Sequence, residues 1–327
     1  MKHFSHMQAT SAEQAASQVA ASYAASGVEG SAMVIAGGTD LLGTLKDELL
    51  PTYPALIIDL KTIEGLDQIE DEGTQLRIGA LAKLADVAAS EAVQQGCLAL
   101  AQACGRAASP TIRHMGTIGG NACQMHRCWY FRVPDDRFHC RRKGGNYCPA
   151  RIGDNRYHSI FGDECGCYAA SSQDSAPALI TLGATMVTTK RELSAEDFFH
   201  INGVRSNALD EDEVLTHIVV PKAARSGFYK FALRQSIDFP LVNCAVAEAE
   251  DGTVRVAMGG VYPSPIRSEA AEAAVAKAGG LSAMDEDAAQ AAGDAAVQDA
   301  KPLTKSEYKV EIARTVVKRT LLQVAAV

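Results

Sequence analysis

The 327-residue sequence has no apolar run of about eighteen residues, which excludes a membrane-spanning helix of ordinary length. Its first residues, Met1-Lys2-His3-Phe4-Ser5-His6, hold neither an apolar leader core nor a twin-arginine pair. No export signal is therefore expected, and a cytoplasmic location is the expectation, with a periplasmic one only if a partner chain carries the signal. Positive charge is in deficit: 31 Lys and Arg face 39 Asp and Glu, a net charge of -8. That balance excludes a nucleic-acid binder driven by overall charge. The dinucleotide fingerprint G-x-G-x-x-G is absent, so a Rossmann site has no support. The compact cysteine run of bacterial ferredoxins is also missing, and no internal repeat stands out.

A hydrophobic fraction of 47% is that of a folded chain, and the length is about twice that of a typical domain. Ser11-Ala12-Glu13-Gln14 has capping-box form, and an Ala-rich helix is expected to about Ala25. Residues 31–36 and 55–60 read as short buried strands, and Ile69 to Gly79 as a hairpin around Glu72-Gly73. Two Ala-rich helices lead to Met115-Gly116-Thr117-Ile118-Gly119-Gly120-Asn121. Composition then changes abruptly. Residues 123–168 contain six of the nine cysteines, the only Trp and three of the eight histidines. They also hold eight basic residues against five acids. After this insertion a helix near Pro177 and a strand over Ala184–Thr189 resume the first domain. Three strand-like runs and three helical ones then predict a small antiparallel sheet covered by helices. The expected organisation is α+β: an α/β domain over 1–190 interrupted by the insertion at 123–168, and a C-terminal α+β domain over 191–327.

Two features carry chemistry. Val34-Ile35-Ala36-Gly37-Gly38-Thr39-Asp40-Leu41 is a buried strand running into two glycines, which lets backbone N–H groups approach a phosphate. Thr117-Ile118-Gly119-Gly120-Asn121 is a second such segment, and the pair suits the two phosphates of a large dinucleotide. The second feature is Cys128-x11-Cys140-x7-Cys148-x18-Cys167, four thiolates in a chain for which no export signal is expected. They suffice for an iron–sulfur cluster or for zinc, with His126, His139 and His158 widening the choice. Cys97, Cys104 and Cys244 lie in apolar surroundings and read as small buried hydrophobes, and Cys123 as packing or as a neighbour of the metal ligands.

Val34–Leu41, Thr117–Asn121, Asp174-Ser175-Ala176-Pro177-Ala178-Leu179 and Gly259-Gly260-Val261 resemble, in that order, the FAD-binding medium subunit of the molybdenum hydroxylases. This group includes xanthine dehydrogenases, aerobic carbon monoxide dehydrogenases and 4-hydroxybenzoyl-CoA reductase. The insertion resembles that of flavin subunits of the reductase and of periplasmic aldehyde oxidoreductases, which carry an extra [4Fe-4S] cluster there. The resemblance implies a two-part FAD-binding domain, non-covalent FAD, and partners in the form of a large molybdopterin subunit and a small subunit with two [2Fe-2S] clusters. It implies that Val34, Ile35, Ala36, Gly37, Gly38, Thr39, Asp40 and Leu41 wrap the pyrophosphate. Thr117, Ile118, Gly119, Gly120 and Asn121 would meet the second phosphate and ribityl chain. Ala107 would line the cofactor, Asp174 accept from its hydroxyls, Leu215 supply an apolar contact, and Lys230 lie nearby. It favours iron over zinc, because Arg127-Cys128, Tyr147-Cys148 and Cys167-Tyr168-Ala169 resemble ligand positions. Cys128, Cys140, Cys148 and Cys167 become the expected ligands, with Cys165 a substitute for Cys167. The turn Asp238-Phe239-Pro240 is expected to border the isoalloxazine ring. A one-electron outside carrier such as a ferredoxin completes the expectation. Two rivals are a stand-alone flavin oxidase and a zinc-stapled assembly module.

Overall fold

The computed structural model describes residues 1–326, and three sheets organise them. Strands β1 (Ser5–Gln8), β2 (Ala32–Ile35) and β3 (Leu56–Asp59) form a parallel sheet in the order β1-β3-β2. The helix Ala12–Ser26 joins the first two strands. Ser11 Oγ accepts from the Gln14 N–H at 3.1 Å, as the capping motif requires, and Gly27 ends the helix in the left-handed region at φ 65°. Ala12, Ala15 and Val19 bury one face of it against Ile58 and Leu60.

Strands β4 (Ile69–Asp71), β5 (Gln75–Gly79), β6 (Thr185–Thr188), β7 (Glu192–Ser194) and β8 (Leu215–Pro221) form an antiparallel sheet ordered β4-β5-β8-β6-β7. Leu76 and Ile78 on β5 and Ile218 and Val220 on β8 alternate inward, with Leu100 and Leu179 packed in the same core. The boundary read from sequence after residue 190 falls inside this sheet. β8 pairs with β5 in the register Ile78↔Ile218 and with β6 in the register Met186↔Ile218, so the sheet continues to Pro221. Local pattern does not reveal that pairing, because β5 and β8 are separated by the entire insertion.

Strands β9 (Arg225–Phe231), β10 (Val242–Glu248), β11 (Val254–Gly259) and β12 (Ile266–Arg267) form the expected antiparallel C-terminal sheet, ordered β12-β11-β10-β9. Helices Glu269–Ala278, Glu286–Val297 and Tyr308–Ala325 cover it, and Val246, Val256, Val275, Val316 and Leu321 fill the layer between. Among the described residues no helix is long and apolar enough to cross a membrane.

From Gln124 to Tyr168 the chain makes three short 3-10 turns and no sheet strand. Side chains and scattered backbone bonds anchor it instead. The Ile160 N–H donates to the Val261 carbonyl at 2.8 Å, and the Lys301 N–H donates to the Ile160 carbonyl at 2.7 Å. The insertion is thereby stitched onto the C-terminal domain.

Candidate functional site

The first glycine segment opens a cleft. β2 ends at Ile35, and the chain turns through Gly37 and Gly38, with Gly38 at φ +71°, into the helix Leu41–Lys46. A Cβ on Gly37 would sit 2.0 Å from the Met115 carbonyl oxygen, so only glycine allows these two backbones to meet. The N–H groups of Gly37 through Leu41 find no acceptor among the described residues. Val34 to Leu41 line a cleft of about 530 Å³, together with Thr117, Gly119, Gly120, Leu215 and, from the insertion, Arg142 to Gly144.

The second segment differs from the expected turn. Ile118–Cys123 is a short helix capped by Thr117, whose Oγ1 accepts from the Gly120 N–H at 3.0 Å. The Ile118 and Gly119 N–H groups donate to the Ala82 and Ala80 carbonyls, both at 2.9 Å, and the Asn121 N–H donates to the Thr117 carbonyl at 2.8 Å. The N–H groups of Ile118 to Asn121 are therefore committed within the protein. A Cβ on Gly119 would lie 2.7 Å from the Ala80 oxygen, so this glycine serves close packing. Ile118 is wholly buried in the core, and Asn121 Oδ1 accepts from Ser175 Oγ at 2.6 Å.

The remaining expected flavin contacts gather elsewhere. Asp174 Oδ2 accepts from Lys230 Nζ at 2.7 Å and its Oδ1 from Asn243 Nδ2 at 2.9 Å. Burial pushes the Asp174 carboxyl above its ordinary value, against the opposing pull of the Lys230 ammonium. Lys230 Nζ also donates to the Arg106 carbonyl at 3.1 Å, which places the buried Ala107 beside the pair. The Ile237 N–H donates to the Ala108 carbonyl at 3.2 Å, docking the β9–β10 turn on the same spot. That turn, with Asp238, Phe239 and Pro240, lines a second cavity of about 480 Å³. Ser171 and Ser172, Arg127, Cys128, Trp129 and His158 form the rest of its wall. The sequence-derived contacts thus fall into two groups: those lining the cleft of the first glycine segment, and a buried Ala107–Asp174–Lys230 group that meets the β9–β10 turn of the second cavity through Ala108.

Asp40 ties the cleft to the insertion. Its Oδ1 accepts from Arg132 at 2.7 Å and from Arg127 at 2.9 Å, and its Oδ2 accepts from the Met125 N–H at 3.0 Å. Sequence reasoning missed this clamp, although the basic excess of the insertion was its visible signal.

All four expected ligand cysteines converge. Cys128 packs against three small clusters, one holding Cys140, one Cys148 and one Cys167. Cys140, Cys148 and Cys167 are buried, whereas Cys165 is exposed and offers its carbonyl to Arg141. Burial pushes the Cys140 thiol up and the Cys167 thiol up to about 12. Among the described residues no three His, Cys, Asp or Glu groups stand in coordinating geometry around one point. The donor set nonetheless suits a thiolate-bound metal, and a buried cation accompanies it. Arg142 donates to the carbonyls of Gly203, Val204 and Arg205 and shares a 2.6 Å contact with His126 Nδ1. His158 Nε2 lies 3.3 Å from Cys128 Sγ, and burial lowers its pKa to about 4, with Lys309 adding to the effect. His139, the third candidate, lies in the loop before Cys140 at φ +46°.

Comparisons with known proteins divide the chain just after β8, which ends at Pro221. A family model described as the FAD binding domain in molybdopterin dehydrogenase matches residues 2–223, and one described as the CO dehydrogenase flavoprotein C-terminal domain matches residues 227–324. The aldehyde oxidoreductase FAD-binding subunit PaoB of Escherichia coli is 34% identical over 307 residues, covering 90% of this chain and 91% of that protein. The carbon monoxide dehydrogenase medium chain of Hydrogenophaga pseudoflava is 28% identical over 300 residues, covering 89% and 88%. A solved carbon monoxide dehydrogenase from that organism, lacking the Mo-pyranopterin moiety, matches over 99% of this chain and 98% of its own. The TM-score is 0.73 and the identity 26%.

Proposed function

The chain belongs to the FAD-binding medium subunits of the molybdenum hydroxylases, and from that premise we propose that it is an electron-transfer subunit holding FAD and one [4Fe-4S] cluster. Its partners are a large molybdopterin subunit, where substrate chemistry takes place, and a small subunit with two [2Fe-2S] clusters. The outside partner is a one-electron carrier of the ferredoxin type. When bound, FAD supplies a group that exchanges two electrons together or one at a time.

The chain's own residues account for how the two groups are held. The free N–H groups of Gly37 to Leu41 receive phosphate, and the Asp238-Phe239-Pro240 turn closes over the flavin end. Cys128, Cys140, Cys148 and Cys167 complete a four-thiolate shell. Arg142, buried and without a close carboxylate partner, offsets thiolate charge. The observation that carries this reading is the position of Cys128. It packs with each of the other three cysteines' clusters and also lines the cavity beneath the Asp238–Pro240 turn. A cluster ligated by Cys128 would therefore stand next to the flavin end without an intervening domain.

The test is the visible spectrum and metal content of the anaerobically purified protein, with electron paramagnetic resonance after reduction. The proposal expects flavin bands, broad iron–sulfur absorption and about four irons per chain, the inventory of one such cluster. One zinc, no iron and no flavin would support an assembly module instead. Flavin with neither iron nor zinc would remove the cluster while leaving the flavoprotein.

A further inference from the structure

The sulfurs assigned to the cluster are not alike in their surroundings. Among the described residues only Cys128 Sγ has a polar side chain within hydrogen-bond distance, His158 Nε2 at 3.3 Å. Cys167 Sγ receives a backbone donor instead, the Ala169 N–H at 3.5 Å. Cys128 is also the one expected ligand that lines the second cavity, and His158 stands beside it in that wall. The ligand that faces the flavin end is thus the one with a side chain set against its sulfur.

The imidazole is held in this place from several sides. His158 is 2% exposed, and the Trp129 and Tyr130 rings flank it at centroid distances of 5.9 and 5.7 Å. Those rings are themselves pinned, because Trp129 Nε1 and Tyr130 Oη both donate to the Asp154 carbonyl, at 3.2 and 3.0 Å. The His158 N–H donates to the Asn155 carbonyl at 3.0 Å, and the His158 carbonyl accepts from the buried Lys309 Nζ at 3.0 Å. The proton of the ring can then be placed. A neutral imidazole carries one N–H, and His158 Nδ1 is buried without a partner. A proton on Nδ1 would leave that buried donor unmet and turn a bare Nε2 lone pair toward sulfur. A proton on Nε2 makes a hydrogen bond, and a cysteine that ligates metal is a thiolate, whose sulfur can only accept.

We propose that His158 is a positioning residue for electron transfer: its Nε2–H donates to the Cys128 thiolate and raises the reduction potential of the cluster at its flavin-facing ligand. This rests on the cluster assignment above. Hydrogen bonds to ligand sulfurs are among the levers that set such potentials. Reduction adds negative charge at the sulfurs, so a fixed donor favours the reduced form. His158 thereby biases electrons from the flavin end toward the cluster.

The experiment is a redox titration of the anaerobically purified holoenzyme, followed by electron paramagnetic resonance. His158→Leu should shift the one-electron reduction equilibrium of the cluster roughly 10-fold toward the oxidised form, a fall of about 59 mV, with iron and FAD content unchanged. His158→Gln, which keeps an N–H donor at similar reach, should restore most of that shift. Both variants keep Lys309, so its charge cannot produce the difference between them. With histidine nitrogens isotope-labelled, pulsed measurements on the reduced native protein should show a weak nitrogen coupling that His158→Gln abolishes. This second readout decides the matter if His158→Leu does not fold. An unshifted midpoint in a folded His158→Leu protein, or no coupling that His158→Gln removes, would overturn the hydrogen bond. A strong coupling of a directly bound imidazole, with iron lost from both variants, would overturn it by making His158 a ligand. Native protein that holds no iron would instead strike the cluster assignment itself.

Discussion

Gly37→Ala is the sharpest probe of the cleft, because its effect is purely steric. Gly37 is not in the left-handed region, so alanine can adopt its backbone conformation without strain. The added Cβ, however, would meet the Met115 oxygen at 2.0 Å, the Met115 carbonyl carbon at 2.8 Å and the Gly116 Cα at 3.1 Å. Ordinary contact begins at 3.4 Å, and all three neighbours are backbone, so no side chain can swing aside. One of the two loops must move. Overpacking of this kind costs about 1–3 kcal/mol, and a backbone-to-backbone clash belongs at the upper end. The loss of unfolded-chain freedom returns about 0.4–1 kcal/mol. A net loss of about 2 kcal/mol remains, which lowers a urea midpoint by roughly 0.7–1 M if the slope is about 2–3 kcal/mol/M. FAD affinity should fall with it, since the same displacement rearranges the unbonded N–H groups of Gly37 to Leu41. Gly43→Ala is the control. It lies in the helix Leu41–Lys46 with nothing within 4 Å of its added Cβ, and should leave FAD affinity unchanged while stabilising slightly. A Gly37→Ala protein with native urea midpoint and native FAD affinity would refute the argument that these backbones must touch.

Other variants test the neighbouring claims. Asp238→Ala removes the carboxylate that accepts from the Arg234 N–H at 2.9 Å and from its Nε at 2.8 Å; it should raise the flavin potential with little change in unfolding midpoint, and an effect on unfolding alone would detach the turn from the flavin. Cys165→Ser should keep its iron and Cys167→Ser should lose it, and the reverse result would exchange their roles. Lys309 is buried, donates to the His158 and Gly260 carbonyls, and has its pKa lowered by burial to about 7. Above pH 7 the unfolded chain then binds the extra proton, so stability should rise with pH by up to about 1.4 kcal/mol per unit toward the ordinary lysine value. Lys309→Met should flatten that rise, and superimposable pH profiles for the two proteins would rule out this lysine as its source.

What the sequence disclosed is local. The capping residue Ser11, the Gly37-Gly38 pair and the alternation in the C-terminal strands each act within a few residues, and each forms the element expected. What it concealed depends on partners brought by the fold. Gly119 and Gly120 look like a phosphate turn because glycine frees a backbone; whether the freed N–H groups remain available is decided by the Ala80 carbonyl, just beyond the end of β5, which accepts from Gly119, and by Thr117 Oγ1, which accepts from Gly120. Asp174 looks like a hydroxyl acceptor, but Lys230 and Asn243 occupy its oxygens.

The choice between Cys165 and Cys167 shows where the line falls. The two stand on either side of Gly166, and cysteine chemistry alone ranks them equally. Their backbone does not. The Glu164 N–H donates to the Cys167 carbonyl at 3.0 Å and the Cys167 N–H to the Glu164 carbonyl at 2.9 Å, a closed pair of bonds that makes residues 164–167 a tight hairpin turn. Its central residues, Cys165 at φ +50° and Gly166 at φ +78°, both have positive φ, the pattern of a primed two-residue loop. Such a turn carries its central residues at the tip and returns the fourth to the strand side. Cys165 is consequently exposed, while Cys167 comes back into the protein beside Cys128. Glycine at the second central position was the signal available in the sequence, because that position favours a residue without a Cβ. Read as turn chemistry rather than as a count of thiols, Glu164-Cys165-Gly166-Cys167 selects its own inward cysteine.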